Sequence, residues 1–148
     1  QEGCAAYQQM VSRLRTAGEM AKQEGITIGI RTGMGAKFDK KLLKKVGSSQ
    51  IKVYYNFQDA ADHHRDICKE LRKLGAQRIV QIHASNTDSV NLQEDPEINL
   101  PKIRKTLDKM KWSGWLVVER SRDVKRVRDV KYNFGRNIAY LKQVFQER

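Results

Sequence analysis

Four side chains with the chemistry of a binding or catalytic site lie where predicted strands end. Arg31 follows the apolar run ITIGI, and Asn56 follows IKVYY. His83 lies late in RIVQIHA, and Glu119 lies late in GWLVVER. Sites in parallel α/β proteins form at the carboxyl ends of strands, so chemistry is expected at these positions. An imidazole, a carboxylate and an amide oxygen are ligands for a divalent cation such as Mn²⁺, Mg²⁺ or Zn²⁺.

The same residues also have a purely structural interpretation. A histidine late in a strand is often a hydrogen-bonded core residue, and a glutamate at a strand end is often a charge at the rim of the sheet. The run from Trp115 to Val118 is typical of a strand buried on both faces. Residue types and spacing alone leave both interpretations open.

The elements that must position these residues alternate between strands and helices. Glycines that follow the helical segments predict where several helices end. After a leading helix, the order is strand–helix four times, which predicts an α/β fold of four parallel βα units in one domain, residues 1–148. The predicted helices are 5–24, 38–46, 59–75, 100–112 and 132–147; the predicted strands are 26–30, 51–55, 78–84 and 114–120; the longer polar loops are 85–99 and 121–131.

Composition places the chain among soluble, folded proteins. Of its 148 residues, 39% are hydrophobic and 31% are charged, and no apolar run is long enough to cross a membrane. The first ten residues lack the pattern of a signal peptide. The chain begins without methionine, which is compatible with a processed or excised piece. Two cysteines give no disulfide framework, so a cytoplasmic, reducing location is expected.

The net charge of +12 indicates an anionic partner. The basic residues are scattered along the chain, and only 7% of residues are aromatic. Because no stacking platform for bases is visible, the sequence argues against nucleic-acid binding as the main role.

Three segments resemble a known family: VYYNFQDA, RIVQIHASNTD and INLPKIRKTLDKMKWSGWLVVERSRD. They are similar to the C-terminal half of the sugar phosphate isomerase/epimerase family, whose members are xylose-isomerase-like TIM barrels. In that family, Glu, Asp, His and Glu on the last four strands hold one divalent metal. The resemblance implies His83, Glu119 and Asn56 as metal ligands, with Asn56 in place of the Asp. It also implies Glu119 as the catalytic acid/base next to a sugar carbonyl.

The chain departs from the family at the first ligand, where it reads GIR instead of GIE. Arg31 cannot ligate a cation and places a positive charge where the metal would lie. The simplest expected arrangement is an Arg31–Glu119 ion pair that occupies the site. Whether the chain is an active enzyme therefore stays open, with an impaired or altered isomerase-like site as the leading interpretation.

The second departure is length, because a full barrel of eight βα units needs roughly 250 residues. Half a barrel leaves two open sheet edges and an exposed apolar inner face. Two copies closing the barrel as a homodimer are favoured over completion by a separate N-terminal half. An excised or redesigned fragment is a further alternative.

Two functions follow from these observations. The first is a sugar isomerase/epimerase-like protein whose partner is a small sugar or sugar phosphate. The alternative is a non-catalytic half barrel that serves in assembly or binds an anion. The residues predicted to bind an anion or phosphate are Arg31, Arg120 and Arg122, with Lys125 and Arg126 nearby in the same basic loop.

Overall fold

Four parallel strands form one sheet in the order β1-β2-β3-β4 in the computed structural model, which describes residues 4–147. The strands are β1 (Ile28–Ile30), β2 (Ile51–Asn56), β3 (Ile79–His83) and β4 (Trp115–Val117). The helices are α1 (Ala5–Gln23), α2 (Ala36–Val46), α3 (Phe57–Ala61), α4 (Ile67–Leu74), α5 (Leu100–Lys109) and α6 (Val130–Phe145). Short 3₁₀ turns lie at Ala76–Arg78 and Val124–Arg126. The predicted α/β fold of four parallel βα units after a leading helix is confirmed.

The register of the strands brings the predicted site residues to one edge of the sheet. Asn56 pairs with His83 across β2 and β3, and His83 pairs with Val117 across β3 and β4. Glu119 follows two residues after Val117. Since side chains two residues apart on an extended chain point the same way, this register places Glu119 beside His83.

The core lies between the sheet and the helices. In β2, Ile51, Val53 and Tyr55 are buried, whereas the alternate residues Lys52 and Tyr54 are partly exposed. The buried face packs with apolar side chains of the helices, which include Leu42, Leu43, Val46, Leu71, Leu74, Ile103 and Leu107. One face of the sheet is therefore covered, and the other is more open, as expected for half of a barrel.

Helix α2 shows how the sequence sets an element's end. Its last residue, Val46, is followed by Gly47 in the left-handed conformation, with φ of 74°. The amide of Gly47 donates to the carbonyl of Leu43, which closes the last turn. Glycine adopts this conformation without steric cost, so the chain turns into β2 here.

The predicted helix 59–75 is wrong, because two helices occupy this segment. Asn56 caps α3 by accepting a hydrogen bond from the amide of Gln58, and Asp66 caps α4 by accepting one from Lys69. Between them His64 has a positive φ of 50°. The left-handed conformation at His64 ends the first helix, and the N-cap at Asp66 starts the second.

The interpretation of the segment from Trp115 to Val118 as a strand buried on both faces is also wrong. Trp115 is 77% exposed, and Leu116 and Val117 are only partly buried. The physical reason is that β4 is an edge strand, which among the described residues pairs with β3 alone. The aromatic and branched residues of β4 therefore lie at an open edge of the sheet.

Among residues 4–147, no helix has both the length and the apolar character needed to cross a lipid bilayer.

Candidate functional site

His83 and Glu119 meet at the carboxyl ends of β3 and β4. The imidazole Nδ1 lies 3.1 Å from the carboxylate Oε2 of Glu119. The His83 side chain is only 16% exposed, whereas that of Glu119 is 49% exposed. The pair thus joins a largely buried ring to a carboxylate that solvent or a ligand can reach.

Two neighbours fix the orientation of the His83 ring. The ring of Tyr54 stacks on it, with centroids 4.7 Å apart and an angle of 28° between the planes. The amide nitrogen of Gln81 lies 3.0 Å from Nε2 of His83. Because an amide nitrogen can only donate, Nε2 accepts, and a neutral ring carries its proton on Nδ1. His83 therefore donates a hydrogen bond to the carboxylate of Glu119.

Asn56 lies beside His83 in the register, but its side chain serves the backbone. Its Oδ1 accepts a hydrogen bond from the amide of Gln58 at 2.9 Å, and its Nδ2 is buried with no hydrogen-bond partner. The structure thus brings Asn56 to the predicted strand end, with its oxygen engaged as a helix cap.

The predicted Arg31–Glu119 ion pair is wrong, because Arg31 pairs with Asp59. Its Nε and Nη2 donate to the two carboxylate oxygens of Asp59 at 2.8 and 2.5 Å. These hydrogen bonds raise the pKa of Arg31 above its ordinary value. Asp59 lies in the first turn of α3, directly after β2, where a helix N-terminus favours a carboxylate. Arg31 therefore reaches a nearer acid, and Glu119 remains available to His83.

The arginines of the basic loop also have an acidic partner. Arg120 and Arg122 both donate to the carboxylate of Asp88, at 3.2 Å and 2.6 Å. Hydrogen bonds from Arg122, and then from Arg120, lower the pKa of Asp88 to about 2. One carboxylate neutralises only one of the two guanidinium charges, and anion binding by Arg31, Arg120 and Arg122 stays a prediction.

A buried acidic cluster lies behind the loop that follows β1. Asp39 is buried and accepts a hydrogen bond from the hydroxyl of Thr32 at 2.5 Å. Glu70 accepts the amide of Ala36 at the start of α2 at 2.8 Å, and Arg65 lies 3.5 Å from the same oxygen. Burial, followed by repulsion from Glu70, raises the pKa of Asp39 despite the bond from Thr32.

The sign of this shift predicts the effect of Asp39→Asn. A carboxyl whose pKa is higher in the folded state than in the unfolded state lowers the free energy of unfolding at any pH above both values, because it must ionise in a less favourable environment. We therefore expect the Asp39→Asn variant to have a higher free energy of unfolding at pH 7, with a gain that shrinks towards pH 3. Urea unfolding at several pH values measures this. Asp62→Asn, on an exposed side chain, is the control, and an equal gain in both variants would contradict the prediction.

The residues present do not fit a complete divalent-metal site. Nδ1 of His83 faces Glu119, its Nε2 faces Gln81, and Oδ1 of Asn56 accepts the amide of Gln58. Within residues 4–147, no three or more histidine, cysteine or acidic side chains are grouped so as to share a metal ion. A metal held by His83, Glu119 and Asn56 stays a prediction.

Sequence reasoning missed the residues that support this site. Tyr54 and Gln81 hold the imidazole, and Ser85 binds the backbone at Glu119. Gln81 and His83 are two residues apart on one strand, so the sequence could have indicated that Gln81 lies beside His83 on the same face. Nothing in the sequence marked Ser85, since a serine in a polar loop is ordinary.

The sequence matches a family model, and the fold is similar to those of several solved structures. The sequence model of the xylose isomerase-like TIM barrel family matches residues 1–144. A D-psicose 3-epimerase from Clostridium cellulolyticum H10 superposes with a TM-score of 0.74 at 14% identity, over 90% of this chain and 54% of that chain. A 3-keto-D-glucoside 4-epimerase from E. coli superposes with a TM-score of 0.71 at 11% identity, over 90% and 52%.

A xylose isomerase domain protein from Planctomyces limnophilus is also similar, with a TM-score of 0.73 at 14% identity. That match covers 97% of this chain and 57% of the other. The chain thus spans about half the length of these solved structures. No curated protein matches its sequence. At these identities the likeness establishes a shared fold.

Proposed function

Because this chain belongs to the xylose isomerase-like TIM barrel family, we propose that it supplies the C-terminal half of a sugar isomerase- or epimerase-like site. The observation that carries the proposal is the 3.1 Å contact between His83 Nδ1 and Glu119 Oε2 at adjacent strand ends. It joins an oriented imidazole to a carboxylate that a ligand can reach. The similar solved structures include two epimerases that act on sugars.

Glu119 is the proposed acid/base. Its carboxylate takes a proton from the carbon next to the carbonyl of a small sugar or sugar phosphate, which leaves an enediolate. In an isomerisation, the proton of the adjacent hydroxyl passes to the former carbonyl oxygen, and Glu119, now a carboxylic acid, returns the carbon proton to the neighbouring carbon. Return to the opposite face of the first carbon, which gives an epimer, needs a second proton donor. His83 is the positioning residue, since its Nδ1–H holds Oε2 of the carboxylate in place.

The barrel that encloses such a site needs four more strands. The edge strand β4 lies beside a groove of about 750 Å³ between α5 and α6, which is lined by both polar and apolar residues. Leu107, Trp112, Trp115, Phe134 and Ile138 are among its lining residues. At the opposite end of the sheet β1 is also an edge strand, and Ile26 beside it is exposed. We propose that two copies close an eight-stranded barrel about a twofold axis. In it, β4 of each copy pairs with β1 of the other.

Closure by a second copy predicts that the chain sediments as a dimer of twice 17.1 kDa. Trp115→Lys places a charge on the covered edge and should shift the dimer towards monomer, because burying an unpaired ammonium is costly. Val124→Lys changes another exposed apolar residue, in the basic loop, and should leave the dimer intact. Sedimentation velocity over a range of concentrations measures both. A monomer at every concentration would contradict this assembly and favour a separate N-terminal half.

Proton exchange in D₂O tests the proposed chemistry directly. We expect the chain to replace hydrogen by deuterium next to the carbonyl of at least one ketose or ketose phosphate, seen as loss of that proton's NMR signal. Parallel samples with a chelator and with Mn²⁺ show whether a metal is needed. Absence of exchange across the sugar panel in both samples would contradict the proposal.

A further inference from the structure

The chain turns sharply two residues after Glu119. Ser121 has φ of 71°, in the left-handed region that favours glycine, and it is fully buried. A side chain with a Cβ stays in this region only where the surrounding structure holds it there. Something must therefore fix the backbone immediately after the proposed acid/base.

Three buried asparagines surround this turn, and we name Asn91, Asn133 and Asn137 the asparagine cage. The Nδ2 groups of Asn91 and Asn137 both donate to the carbonyl of Ser121, at 3.2 and 2.8 Å. Nδ2 of Asn137 also lies 3.4 Å from the carbonyl of Arg120. The carbonyl of a residue in an unfavourable conformation thus has two side-chain donors.

The cage is itself extensively bonded. Oδ1 of Asn133 accepts from Nδ2 of Asn91 at 3.0 Å and from the amide of Asp123 at 2.8 Å. Oδ1 of Asn137 accepts from the amide of Leu92 at 2.9 Å. Asn133 and Asn137 lie four residues apart and so share one face of α6. Asn137 binds Ser121 directly, whereas Asn133 acts through Asn91.

On its other side, Glu119 is held by a serine of the loop after β3. Oγ of Ser85 accepts hydrogen bonds from the amides of Glu119 and Arg120, at 2.7 and 3.2 Å. The backbone that carries the carboxylate is therefore bound before the turn by Ser85 and after it by the cage. A buried backbone whose polar groups are paired has little freedom to move.

We infer that Asn91 and Asn137 are positioning residues for Glu119, because they hold Ser121 in its left-handed conformation and so fix the strand end that carries the carboxylate. The inference rests on the proposed function in assigning chemistry to Glu119. Loss of either asparagine frees the segment from Glu119 to Ser121 while the rest of the sheet remains folded.

Amide hydrogen exchange followed by NMR tests this in Asn137→Ala. The amides of Glu119 and Arg120 should exchange about tenfold faster or more, while amides of α2 in the same sample keep their protection. Asn91→Ala, on a loop, provides the same readout if Asn137→Ala fails to fold.

The matched control is Asn99→Ala, which removes an asparagine that caps α5 by accepting from the amide of Lys102. It should not change exchange at Glu119 relative to α2. A uniform rise across the chain in Asn137→Ala, or unchanged exchange at Glu119, would overturn the inference. Exchange is read without substrate, so a failure of sugar chemistry in the wild type would contradict the proposed function alone.

Discussion

Replacing Phe57 with alanine is expected to lower the free energy of unfolding by about 3–5 kcal/mol. Phe57 is fully buried at the start of α3, directly after the strand end that carries Asn56. Its ring packs edge-on against Tyr55, with centroids 6.2 Å apart and planes at 67°. Alanine removes most of this contact and leaves a cavity, and a domain has only about 5–15 kcal/mol in total.

Urea unfolding followed by circular dichroism measures the loss. Phe38→Ala is the matched control, since Phe38 carries the same side chain at a partly exposed position and contacts Tyr7 edge-on. Its loss should be distinctly smaller, because less apolar area leaves water on folding. Equal losses in the two variants would show that Phe57 is not a central part of the core.

The succession of elements could be predicted because it depends on local signals. Apolar runs rich in β-branched residues indicated the strands, and glycines after periodic apolar segments indicated helix ends. Parallel pairing then followed from the alternation of strands and helices, which brings strand ends to one edge. For this reason the sequence could place Asn56, His83 and Glu119 at one edge before any contact was known.

Partner choice could not be predicted, because it depends on distances that the sequence does not contain. The sequence contains many acidic residues that could pair with Arg31, and a family pattern directed attention to Glu119. The first turn of α3 instead brings Asp59 within 2.8 Å of Arg31 Nε. The sequence predicted a single helix over 59–75, and it did not show that a separate helix begins at Phe57 directly after β2.

The exposure of Trp115 shows that the burial of a strand could not be predicted from its residue types. A run of Trp, Leu and Val is the same in a central strand and in an edge strand that a partner covers. Burial depends on whether another strand lies beside β4, and within residues 4–147 the sheet has four strands with β4 at its edge. The asparagine cage was missed for a related reason, since Asn133 and Asn137 resemble solvent-facing residues until α6 is packed against the turn at Ser121.

Glu119→Gln is expected to reduce sugar proton exchange by about 10²- to 10⁴-fold, the usual contribution of a general acid/base. Glutamine keeps the shape of the side chain, and its oxygen still accepts a hydrogen bond from Nδ1 of His83. It cannot take up a proton at neutral pH, so the chemical step should be lost while the fold stays intact. Equal urea midpoints for the variant and the wild type would verify that the fold is unchanged.

Two comparisons separate this loss from a general effect of removing a charge. Glu19→Gln makes the same change on the exposed face of α1 and should exchange sugar protons at the wild-type rate. Sugar affinity, measured by calorimetry, should differ little between Glu119→Gln and the wild type, since the carboxylate acts on the proton and not on the bound ring. Sugar proton exchange at the wild-type rate in Glu119→Gln would show that the carboxylate is not the acid/base. If the wild type binds sugar but does not exchange its proton, the chain would be a half barrel that binds carbohydrate without transforming it. Glu119, held by His83, would then serve as a hydrogen-bonding group for the sugar and not as an acid/base.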